Sequence, residues 1–64
     1  MIELRTGRQH QIVVDTAEDL REAQKLARFY MNDPRDPKAP DRIFFYDRLA
    51  AQYCGWAVKQ VRRG

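Results

Sequence analysis

The sequence predicts an α+β fold of ββαββ order: a four-stranded, mainly antiparallel sheet with one helix, over about residues 15–32, on one face. Three observations carry this reading. Between Asp15 and Asn32, the residues Leu20, Ala23, Ala27, Tyr30 and Met31 recur at steps of three and four, so they share one face of a helix. Ahead of it, Ile2-Glu3-Leu4-Arg5 and His10-Gln11-Ile12-Val13-Val14 alternate apolar and polar residues, apart from the extra Val13. Behind it, Arg42-Ile43-Phe44-Phe45-Tyr46 is a β-branched and aromatic run, the composition that strands favour.

Taken in order, the first two strands form a hairpin around Thr6-Gly7-Arg8-Gln9, with Ile2, Leu4, Ile12 and Val14 directed at the helix. Asp15 or Thr16 is placed to cap that helix, with Glu18 or Asp19 completing a capping box. Acidic residues (Glu18, Asp19, Glu22) crowd its first half and basic ones (Lys25, Arg28) its second, which suits the helix dipole. Phe29 falls on the polar side. The expectation is that it tucks under the following segment, with an exposed contact residue as the alternative.

Residues 33–41 hold all three prolines and read as an extended, proline-rich connector. Pro37 to Arg42 also spells PxxPxR, a pattern that SH3-type grooves accept, although a rigid connector explains the same residues. The strand that follows is apolar on both faces, Ile43 and Phe45 on one and Phe44 and Tyr46 on the other. Such a strand belongs in the centre of a sheet, yet a single helix covers only one side.

The tail from Asp47 fits two periods. As a strand over Tyr53–Val61 it sets Cys54, Trp56 and Val58 on one face and Tyr53, Gly55, Ala57 and Lys59 on the other. As a helix over 47–63 it gathers Leu49, Ala50, Tyr53, Cys54, Trp56, Ala57 and Val61 on one broad side, for a ββαβα order. Tyr, Cys, Trp and Val favour the strand, as does Gly55 at mid-segment.

Length bounds function. Sixty-four residues make a single domain, 1–64, with a small core and no room for a deep substrate cavity. The one cysteine, Cys54, cannot form an internal disulfide, and its apolar surroundings in the sequence mark a core thiol. That suits a reducing compartment and a cytoplasmic location. No apolar run reaches membrane-spanning length, and the start of the chain lacks a signal-peptide core, so no membrane partner is expected. Charged residues make up 33% of the chain, at net +3 and pI near 9.4, and acids are interleaved with bases. Most of this charge is therefore solvated surface. Arg5 and Arg8, with Lys59, Arg62 and Arg63, are the exceptions and form a patch if the fold joins the ends.

Catalytic and metal chemistry is thinly supplied. The chain contains no serine, one histidine and one cysteine, too few for a serine nucleophile or an ordinary zinc site, and it has no glycine-rich phosphate loop. The expectation is a non-enzymatic protein without a cofactor. A Cys54–His10 pair is the one nucleophile and base the composition allows. Gly7-Arg8-Gln9-His10-Gln11-Ile12-Val13-Val14 loosely resembles the HicA-type toxin ribonucleases, in which a strand histidine acts on RNA. That resemblance implies a general-base role for His10, but the family's glycine-serine-histidine pattern and leading helix are absent.

Two binding readings are stronger. With Ile43 and Phe45 turned to the helix, Phe44, Tyr46 and Tyr53 lie on an open sheet face near Arg5 and Lys59, the mixture of rings and cations that stacks bases and attracts phosphates. The same rings also suit a homodimer interface or a second small core. In the helical version of the tail, Ala51, Gly55 and Val61 fall at helix-turn-helix spacings. In size, ββαββ layout from Ile2 to Val61 and lack of catalytic groups, the chain resembles small phage-encoded inhibitors of the anti-CRISPR type. The resemblance implies a module that occludes a surface of a host protein or nucleoprotein complex. The surface expected to do so is Phe44, Tyr46 and Tyr53, flanked by Arg5, Lys59, Arg62 and Arg63, with Phe29 as a further contact.

Overall fold

A computed structural model describes residues 1–33, 35–36 and 39–59. The elements are β1 (Ile2–Thr6), β2 (Ile12–Ala17), α1 (Leu20–Met31), β3 (Arg42–Asp47) and β4 (Gln52–Val58). They form one sheet in the order β2-β1-β3-β4, with every neighbouring pair antiparallel, and a helix on one face. The fork at the tail resolves to a strand. Pro37 and Lys38 of the SH3-type pattern lie outside the described residues, as do Arg62 and Arg63.

The core is small and apolar: Ile2 and Leu4 from β1, Ala17 from β2, Ala23, Ala27 and Met31 from α1, and Ile43 and Phe45 from β3. Leu4, Ile43 and Phe45 are fully buried, each contributing about 1.5–3 kcal/mol of burial free energy. Alanines at the centre of the helix stripe let α1 lie close to the sheet. Tyr30 ties the helix to β2, its hydroxyl donating to Asp15 Oδ2 at 2.8 Å.

Several boundaries depart from the sequence expectation. The helix begins five residues later than expected, because Thr16 and Ala17 pair with Glu3 and Ile2 and stay in β2. Asp19 is the N-cap, its Oδ1 accepting the Glu22 N–H at 2.8 Å. Leu20, assigned to the buried stripe, sits exposed in the first turn. His10 belongs to the hairpin loop, since β2 starts only at Ile12, and Ile12 itself is exposed at the far end of the ladder, opposite Thr6. The extra Val13-Val14 residue is a bulge: the pairing steps from Leu4–Asp15 to Arg5–Val13, leaving Val14 to pack on the core. Among its described residues the connector is turned rather than extended. The Asp36 N–H donates to the Asp33 carbonyl, the Ala39 N–H to the Asp36 carbonyl, and the Arg35 N–H to the Asp33 side chain.

Phe29 does not tuck under the connector. It is 60% exposed and meets only the edge of Tyr30 among aromatic rings. Among the described residues no helix is long and apolar enough to cross a membrane.

Candidate interaction surface

The sheet face away from α1 is built by alternation. With Ile43 and Phe45 turned inward, Phe44 and Tyr46 face outward, and Arg5 and Glu3 lie opposite them on β1. On β4 a second bulge intervenes: Phe45 pairs with Gly55 but Tyr46 pairs with Tyr53, so Cys54 is the extra residue. This overturns two expectations. Tyr53 and Trp56, assigned to opposite faces, share the outer one, with Trp56 paired to Phe44. Cys54 is not a core thiol; it is exposed, its Sγ 3.6 Å from the Phe45 carbonyl oxygen.

The rings on this face are packed on one another. His10, held at φ 55° after the turn that Gly7 opens at φ 98°, drops its imidazole flat on Phe44 with centroids 3.8 Å apart. Tyr53 meets His10 edge-on at 5.1 Å and Tyr46 at 5.1 Å. The Arg5 guanidinium lies over the Tyr46 ring, 4.1 Å from its centroid, in a cation–π contact. Arg5 Nε also donates to Glu3 Oε1 at 2.9 Å, and Arg48 Nε stands 3.8 Å from Glu3 Oε2. The hydrogen bond to Glu3, and after it one to Tyr53, holds Arg5 above its ordinary pKa against the desolvation that lowers it. The outer faces of Phe44 and Tyr46 are thus already covered, by His10 and Arg5. Tyr53 and Trp56 are left to solvent, Trp56 by 66%.

Of the expected site residues, Phe44, Tyr46, Tyr53 and Arg5 come together. Lys59 does not join them; with Gln24, Arg28 and Met31 it lines a groove between α1 and β4. Phe29 belongs to the helix, which covers the opposite side of the sheet. His10 and Trp56 are the members that sequence reasoning missed. A signal for Trp56 was present: Tyr53 and Trp56 are three apart, and share a strand face only if a bulge lies between them.

Among the described residues no cluster of three His, Cys, Asp or Glu side chains is placed to hold a metal. The His10 ring makes aromatic contacts, and no hydrogen bond links it to Cys54. Comparisons with family models, with curated proteins and with solved structures find no match to this chain.

Proposed function

We propose that this protein is a non-enzymatic binding module that occludes a surface of a larger host protein or nucleoprotein complex through the outer face of its sheet. One observation carries the choice of protein over bare nucleic acid: the ring faces of Phe44 and Tyr46 are occupied by His10 and Arg5. A base-stacking platform needs open ring faces. On Phe44 and Tyr46, stacking would require displacing both partners, and Glu3 would set a carboxylate among the phosphates. What stays outward is Tyr53 and Trp56 beside Arg5, the three residue types that most often dominate protein interfaces. The packing of Tyr53 on His10 and Tyr46 also lowers the entropy lost on docking.

The test pairs two assays. The intact chain and a Tyr53→Ala, Trp56→Ala double variant are used as bait in host extract, and both are titrated with single-stranded RNA and DNA probes at low ionic strength. The reading expects one multisubunit partner retained by the parent chain and lost with the variant, and no probe binding. Tight probe binding that weakens steeply with added salt would replace it with nucleic-acid binding, and turnover of the RNA probe abolished by His10→Ala would replace it with the ribonuclease reading.

A further inference from the structure

The helix side of the sheet carries a second surface. β4 offers only Gly55 and Ala57 to that side, opposite Phe45 and Ile43, and α1 lies over β1, β2 and β3 more than over β4. The result is an open groove of about 770 Å³ between the C-terminal half of α1 and the outer strand. Met31, Trp56, Ala57 and Val58 give it apolar wall and Gln24 and Asn32 give it amides, while Arg28 and Lys59 supply two cations and, among the described residues, no anion lines it. Neither cation's side chain has an ion-pair or hydrogen-bond partner among the described residues.

Among the described residues, the groove runs beside an unpaired strand edge. β4 pairs with β3 on one side only. Its sequence, Gln52-Tyr53-Cys54-Gly55-Trp56-Ala57-Val58, contains no proline and no charge, the usual devices that keep an edge from accepting another strand. Its bulge lies at Cys54, near the turn, and pairing from Gly55 to Val58 is regular.

We propose that an extended acidic peptide segment binds here, adding to the Gly55–Val58 edge of β4 as a fifth strand. Main-chain hydrogen bonds to the edge supply affinity. Alternate side chains of the guest face the groove, where an acidic residue reaches Arg28 and Lys59 and an apolar one rests on Met31 and Ala57. Charge decides against a second copy of this chain. Antiparallel β4-to-β4 pairing sets both helices on the same side of the joined sheet, and the second copy's β4 carries no acid to meet Arg28 and Lys59. The site shares Trp56 with the aromatic face but not Tyr53, so Tyr53→Ala separates the two.

The experiment uses the intact chain and capped octapeptides of alternating Val and Glu, alternating Val and Lys, and the Glu peptide N-methylated at alternate residues. Readouts are fluorescence of the single tryptophan, Trp56, and amide exchange along β4. The Glu peptide is expected to bind and slow exchange over Gly55–Val58, and the Lys and N-methylated peptides to bind at least about tenfold more weakly. Arg28→Gln and Lys59→Gln, both surface changes, should each weaken the Glu peptide about three- to tenfold, whereas Tyr53→Ala leaves it unchanged. Equal binding of Glu and Lys peptides, binding that survives N-methylation, or no binding of the Glu peptide overturns the proposal. Concentration-dependent dimerisation that protects β4 would overturn it in favour of a second copy.

Discussion

The His10 imidazole and the Phe44 ring lie nearly parallel, 24° apart in plane with centroids 3.8 Å apart, joining the first hairpin loop to the central strand β3. The contact does two things at once. It covers an aromatic face that would otherwise be open, and it anchors a loop whose own backbone is costly, since His10 sits at φ 55°. Removing the ring in His10→Ala should lower stability in urea by about 0.5–1.5 kcal/mol. His10→Gly loses the same stack but relieves the left-handed conformation, so it should be the more stable of the two by up to about 1 kcal/mol. Equal stabilities of Ala, Gly and the parent chain would count against both effects.

Tyr30 and Asp15 give a pH dependence with a definite sign. The hydrogen bond to Asp15, followed by burial, raises the Tyr30 pKa above its ordinary value. The folded state therefore holds the phenolic proton more tightly than the unfolded chain does. The contribution is complete below the unfolded value of about 10, and it is lost as pH rises through the higher folded value. Thermal melts should show the parent chain losing stability at alkaline pH more steeply than Tyr30→Phe. Near neutrality the Phe variant should be less stable by about 1 kcal/mol.

The helix start is set by Asp19, whose carboxylate receives the Glu22 N–H. Asp19→Ala should cost about 1 kcal/mol and fray the first turn, read as faster amide exchange at Leu20–Ala23. Thr16→Val, in β2, should leave those amides unchanged; a comparable loss of protection would return the cap to Thr16.

Ala51 closes the β3–β4 turn at φ 53°, a conformation a side chain resists. Asp47 already braces this turn, its Oδ1 accepting the Leu49 and Ala50 N–H groups at 3.0 and 3.3 Å. Ala51→Gly should therefore raise stability by up to about 1 kcal/mol, less the added freedom of glycine in the unfolded chain. A loss in denaturant titration would show that the turn gains nothing from the change.

Cys54 is exposed on the bulge of β4. Its thiol should react completely with an aromatic disulfide reagent under native conditions, at a rate unchanged by mild denaturant. Reaction only on unfolding would place it inside, where the uninterrupted alternation of the sequence puts it.

The sequence by itself determined the order of the first four elements, the inward stripe of Ala23, Ala27 and Met31, and the division of β3 into an Ile43–Phe45 face and a Phe44–Tyr46 face, because periods of 3.6 and 2 are local properties of the backbone. That the tail is a strand, and which face of β3 meets the helix, came from the tertiary structure. The sequence also held the clue to the β2 bulge in the doubled Val13-Val14. Only the tertiary structure decided that Thr16 and Ala17 extend a strand instead of opening the helix, since their ladder to β1 outweighs a capping pattern that Asp19 satisfies as well. The face that Trp56 and Cys54 take rests on one bulged residue, which inverts every side chain beyond it and leaves no mark in composition. His10 joined Phe44, and Lys59 left the aromatic face for the groove beside Arg28, for the same reason: loop trajectories and strand edges are fixed by pairings between distant segments, and those pairings are not written in the residues nearby.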